Sequence, residues 1–195
     1  MRNFFAMCAA ILILLTMSTA SAQSVRIARL PIIFQSAIPD DETCNELETK
    51  IERAVHIPLN GTLQLAEYLP PNDSAQVFND IWSELRAQNK KANLSDAMRP
   101  LAQKLNADII VCPVLNQYSQ YVSFSFGWHE TFLVSRAAAE LIVYDHRTDE
   151  LIDKKISQMQ NDTYNLRGTA SFLAKICFDR VIDDTRLRER IRAIR

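Results

Sequence analysis

Hydrophobic positions recur along this chain with two periods, and the elements change where the period changes. SVRIARLPIIF (24–34) is a short β-branched run and predicts a buried first strand, closed by a turn at 36–40. Asp40 and Asp41 suit the N-terminus of a helix, where a side-chain oxygen and negative charge meet unbonded N–H groups. From Glu42 to His56 the apolar residues Cys44, Leu47, Ile51, Ala54 and Val55 return at helical spacing. TLQLAEYL (62–69) alternates as a half-buried strand does, until Pro70-Pro71-Asn72-Asp73 breaks it. A helix over about 74–89 carries Val77, Phe78, Ile81, Trp82 and Leu85 on one side; a shorter one follows over 94–105, bent or delayed by Pro100.

ADIIVCPVLNQY (107–118) predicts a buried strand in which Pro113 cannot donate to a ladder, so a bulge or an unpaired side falls there. Two runs of two-residue alternation follow, ETFLVSRAAAELIVYD and ELIDKKISQMQ, joined at His146–Asp149. From Leu166 onward the pattern is helical, with Leu173, Ile176, Cys177, Val181, Leu187, Ile191 and Ile194 in one stripe. The order β-α-β-α(α)-β-β-β-α defines an α/β fold with a mixed sheet of about five strands and helices packed on it. If the first three strands lie in the order 2-1-3, right-handed crossovers put the first two helical segments on opposite faces. The last helix then shares a face with one of them.

The two ends change the picture. Arg2, the apolar run FFAMCAAILILLTM and the small-x-small site Ala20-Ser21-Ala22 predict a signal peptide over 1–22, cleaved to leave Gln23 first. Cys8 lies too early for a lipoprotein cleavage site, so residues 23–195 are expected as a single periplasmic or secreted α/β domain. Three cysteines remain, Cys44, Cys112 and Cys177, and an odd count in an oxidising compartment allows at most one disulfide. Cys44 and Cys177 are the better pair because Cys112 sits in an apolar strand; three unpaired buried thiols are the alternative. Asn60, Asn72, Asn93 and Asn161 stand in Asn-x-Ser/Thr triplets, which matter only in a eukaryotic secreted protein. The leader is bacterial in style.

Composition excludes more than it assigns. The formal net charge of −1 gives no pull toward nucleic acid. Three glycines, Gly61, Gly127 and Gly168, make no phosphate-binding loop, and no cofactor is expected.

The element order, RIARLPIIF as first strand, LNADIIVCPVL after a helix and ELIVYDHRTDELI as closing hairpin resemble one envelope superfamily. It holds the amino-terminal domain of TolB and the periplasmic domains of the curli-secretion lipoproteins. The resemblance implies a non-catalytic assembly or docking module, with no catalytic residues to carry over. The chain departs from that pattern in lacking a lipobox, a propeller and a pore-forming insertion.

Four groups of residues invite chemistry. Asp145, His146, Asp149, Glu150 and Asp153 look like oxygen ligands, but no calcium-loop spacing is present, and turn formation accounts for them. No metal is expected. His56, His129 and His146 sit apart, in no zinc-binding spacing, and no Gly-x-Ser-x-Gly occurs; a triad built on Ser123 or Ser125 with His129, or from distant loops, defines the hydrolase alternative. YVSFSFGWHETFLVS (121–135) gathers aromatic residues, with Tyr118, Phe124, Phe126 and Trp128 on one parity of a strand. Such a row either packs under a helix or forms a contact surface for an envelope protein partner or a glycan. The reading adopted is contact, on a projecting hairpin. Finally, Arg186, Arg188, Arg190, Arg192 and Arg195 crowd the tail. They either complement the helix dipole or form a secondary basic surface, able to touch an anionic membrane or an acidic partner.

Overall fold

A pentapeptide with β-branched Val25 and Ile27, Val25–Arg29 (β1), lies at the heart of the parallel part of the sheet, flanked by Ala66–Leu69 (β3) and Ile109–Ser125 (β4). The computed structural model describes residues 25–56, 66–127, 130–162 and 168–193. Both neighbours of β1 run parallel to it, Ile27 standing opposite Tyr68 on one side and Ile109 on the other. The crossovers are α1 (Asp41–Val55) and then α2 (Pro71–Gln88) with a 3₁₀ turn (Leu94–Ala97) and α3 (Met98–Leu105). From β4 the chain turns antiparallel through β5 (Glu130–Asp145) and β6 (Glu150–Asp162). The order β3-β1-β4-β5-β6 is the 2-1-3 arrangement with a meander added.

The sheet has six strands because the predicted first strand is two. After Arg29 the chain jogs and resumes as β2 (Ile33–Phe34), which pairs parallel with Val114 and Leu115 of β4. Pro113 explains the jog. Leu30 donates its N–H to Val111 and Gln35 donates to Leu115, so the β4 groups on this side face β1 and then β2. Pro113 falls between those contacts, where no donor is needed; the bulge comes later, between Leu115 and Gln117.

Two hydrophobic layers form on the two faces of the sheet. One face holds Ile27, Ile109, Val111, Leu115, Ala137, Leu141 and Val143 under α1 and the C-terminal helices, with Leu47, Ile51 and Phe178 fully buried. The other holds Ala28, Ile110, Cys112, Val114 and Ile142 under α2 and α3, with Met98 and Leu101 fully buried. The alternate residues of β4 and β5 thus serve both layers, which is why those runs read as continuously apolar.

The last helix differs from its prediction at both ends. It begins at Ala170, where Thr169 accepts the N–H of Phe172, and it breaks at Arg186, whose φ is 49°. The two pieces are α4 (Ala170–Thr185) and α5 (Leu187–Ala193). Leu187 and Ile191 nevertheless remain buried in the same layer. No helix among the described residues is long and apolar enough to cross a membrane.

The expected Cys44–Cys177 disulfide is corrected: among the described residues Cys44, Cys112 and Cys177 are all free. Cys44 sits in the first turns of α1 with its Sγ donating to the Pro39 carbonyl, while Cys177, on the buried face of α4, donates to the carbonyl of Ala137 on β5, so the two thiols turn to different neighbours. Burial pushes each of these thiols, and that of Cys112, up from its ordinary pKa.

Candidate functional site

β4 and β5 run on well past the helices. Gln120 marks the limit: its Oε1 accepts the N–H of Ala170, the first residue of α4, at 2.8 Å. Beyond that point the pair continues through Tyr121↔Val134, Val122↔Leu133 and Phe124↔Thr131 toward the turn. Leu133 and Val134 are buried on β5, but β4 is bare: Tyr121 is 50% exposed, Val122 64%, Phe124 49% and Phe126 84%. The rings of Phe124 and Phe126 meet edge to face, with centroids 5.1 Å apart. This end carries no acidic or basic side chain from Val114 to Trp128 on the β4 side or from Thr131 to Ser135 on β5.

The hairpin therefore separates the predicted contact residues. Phe124 and Phe126 stand at the exposed end. Tyr118 does not: it is half-buried against the layer under α1 and α4, and burial, together with the nearby Asp40 charge, pushes its phenol up. Trp128 and His129 lie outside the described residues, as does the side chain of Ser125. Tyr121 and Val122 join the surface in Tyr118's place, on opposite faces of the strand. The signal for them in the sequence is the length of the charge-free run rather than its parity.

The basic tail is likewise divided. Arg190 is held, its Nη1 and Nη2 donating to Glu150 at 2.9 and 3.3 Å and its Nε to the Thr185 carbonyl at 3.2 Å. Arg186 serves as the left-handed cap between α4 and α5. Arg188 and Arg192 are exposed, while Arg195 lies outside the described residues.

The acidic hairpin between β5 and β6 is a structural turn. Asp145 accepts from the Arg147 backbone at 3.0 Å and from its guanidinium at 3.2 and 2.8 Å. Burial raises the Asp145 pKa, but these bonds outweigh it and hold the carboxyl below its ordinary value. Asp149, at φ 55°, accepts from Tyr144 at 2.7 Å and from Arg99 at 2.6 Å. No group of three or more candidate metal ligands occurs among the described residues.

A hydrolase needs a histidine within reach of a nucleophile. His56 lines a cleft of about 220 Å³ with Arg29, Glu52 and Tyr68, at the C-terminal ends of β1 and β3. It stacks on Tyr68, centroids 3.9 Å apart, and its Nδ1 lies 2.9 Å from Glu52. Among the described residues, no serine, threonine or cysteine lines the cleft. Arg29 is spent on Glu48 and Glu52 of α1, and Glu48 also accepts the N–H of Ile32. In open α/β sheets a ligand crevice opens where the strand order reverses, here between β1 and β4. That place is filled by β2 itself.

No family model and no curated protein matches this chain. Among solved structures, it is similar to the hypothetical protein CT253 from Chlamydia trachomatis (TM-score 0.47, 13% identity, covering 83% of this chain and 95% of that one). It is also similar to lipoprotein GNA1162 from Neisseria meningitidis (TM-score 0.36, 17% identity, 82% and 99%). A third is the PelC dodecamer from Paraburkholderia phytofirmans (TM-score 0.40, 9% identity, 82% and 87%). Each of these TM-scores is below 0.5.

Proposed function

We propose that this is an exported, non-catalytic docking domain of the bacterial cell envelope, which engages a protein partner through the end of the β4–β5 hairpin. One observation carries the reading: Tyr121, Val122, Phe124 and Phe126 form an exposed apolar end on a strand pair that outruns the helices. Aromatic side chains contribute large contact area at low entropic cost, so an uncharged ring cluster suits an apolar pocket on a partner. The signal-peptide-like opening of the chain supports export. The finer likeness, to the amino-terminal domain of TolB and the curli-secretion lipoproteins, belongs to this proposal and rests on the residue runs that suggested it. Arg188 and Arg192 offer a secondary contact for an acidic partner or an anionic membrane surface.

Photo-crosslinking in intact cells tests it. A photoreactive phenylalanine at Phe126 is expected to give one discrete protein adduct, lost when Phe124 is changed to Ser. An adduct pattern unchanged by Phe124→Ser, or none at all, removes the hairpin as the docking surface. A saccharide-containing adduct would transfer the same surface to a glycan.

A further inference from the structure

β6 is an edge strand of the sheet. It pairs with β5 on one side, and among the described residues no strand pairs on the other. A bare edge of 13 residues presents backbone donors and acceptors that another strand can take up. The ladder fixes which residues present them. His146 donates to Asp108 while Leu30 donates to Val111, so before the bulge even-numbered β4 residues bond β5 and odd-numbered ones bond β1. Val111 stands opposite Val143, and Val143 opposite Ile152, so the odd-numbered residues of β5 bond the even-numbered residues of β6. Leu151, Asp153, Lys155, Ser157, Met159 and Asn161 therefore turn their backbone groups away from the sheet.

The two halves of this edge are unlike. Near Glu150 it is guarded by the Arg190 ion pair and by Asp153, Lys154 and Lys155, charges of the kind that deter strand pairing. From Ile156 to Asn161 there is no charge, and Met159 is 58% exposed.

We propose that Lys154–Asp162 pairs antiparallel with the same stretch of a second copy of this chain, about a two-fold axis at Gln158. Directly opposed residues in an antiparallel pair share a face of the sheet, so the axis has to fall on a residue. At Lys154 it would set lysine against lysine, and at Ile156 it would set Glu150 against Asp162. At Gln158 it sets Lys154 against Asp162, Lys155 against Asn161 and Ser157 against Met159, with no like charges opposed. The outward groups match this axis. Ser157 and Met159 exchange hydrogen bonds with their counterparts, and Gln158 meets its copy at a non-hydrogen-bonded position, Cα atoms about 4.5 Å apart. About eight backbone hydrogen bonds form, and the two aromatic hairpin ends face opposite ways.

Cysteine placement tests the register in a Cys44→Ser background. Gln158→Cys is expected to form a disulfide-linked dimer under mild oxidation. Lys154→Cys alone is not, whereas mixing Lys154→Cys with Asp162→Cys gives the crossed dimer. Met159→Pro removes an outward N–H without removing a bond to β5, so it should leave the circular dichroism spectrum intact and halve the mass by light scattering. A monomeric mass for the unmodified chain at tens of micromolar overturns the proposal. So does crosslinking at Lys154 equal to that at Gln158, or a dimer that Met159→Pro leaves whole.

Discussion

Asp153 shows how a single side chain can work against the fold. Burial, then the charge and hydrogen bond of Glu140, raise its carboxyl above the ordinary value, and Lys155 only partly offsets them. A raised acid binds its proton in the folded state at pH values where the unfolded chain has released it. Its contribution to stability is therefore complete below the unfolded pKa and is lost as pH rises through the folded one. Asp153→Asn keeps a donor for Glu140 and removes the repulsion. The expected result is a gain on the order of 0.5 kcal/mol at pH 7, small because the pair is solvent-screened. Urea denaturation should show that gain vanish near pH 3; an equal gain at both pH values would assign it to packing instead. Phe178 is the opposite case. It is fully buried between α4 and the sheet, and Phe178→Ala should cost about 3–5 kcal/mol in the same measurement, at either pH.

At the scale of elements, the helix and strand periods located nearly every segment, and the misplaced boundaries have local causes. The terminal helix reads as continuous because Leu187 and Ile191 remain buried with the stripe of α4 even though the backbone breaks at Arg186, ahead of both. A glycine would have announced the break; here Arg186 occupies the left-handed position at φ 49°. Such a position disfavours a side chain, so Arg186→Gly is expected to raise stability by about 0.5–1 kcal/mol in thermal or urea denaturation. A loss would mean that the Arg186 side chain contributes more than its backbone costs. At the other end of α4, Thr169→Ala should cost about 1 kcal/mol through the lost cap on Phe172. The split of the first strand was legible only through its partner, because the missing donor of Pro113 lies on β4 and not on β1 or β2. The Cys44–Cys177 pairing failed for a related reason: helical spacing shows that two residues lie on helices, but not toward which neighbour each thiol turns.

For the whole molecule, the sequence order of crossovers and meander was enough to suggest a 2-1-3 arrangement of the first three strands, and the sheet order contains it. It was not enough to show where the helical cover stops. Alternation continues through Tyr118, Gln120, Val122 and Phe124 without a change of period, yet Gln120 caps α4 and Tyr121, Val122, Phe124 and Phe126 after it are exposed. Tyr118 and Phe124 share a parity and have opposite fates for that reason alone. The boundary makes a sharp separation between stability and docking. Removing exposed rings beyond Gln120 deletes little packing, so Phe124→Ser and Phe126→Ser should each change unfolding free energy by no more than about 0.5 kcal/mol. Tyr118→Ser, behind the boundary, should cost several times that, because it opens a gap in the layer beneath α1 and α4. Crosslinking from a photoreactive residue at Val122 should follow the reverse order, lost in Phe126→Ser and retained in Tyr118→Ser at temperatures where that variant is folded. If Phe126→Ser destabilised the chain as much as Tyr118→Ser, the hairpin end would be part of the core, and docking would have to be sought on another face.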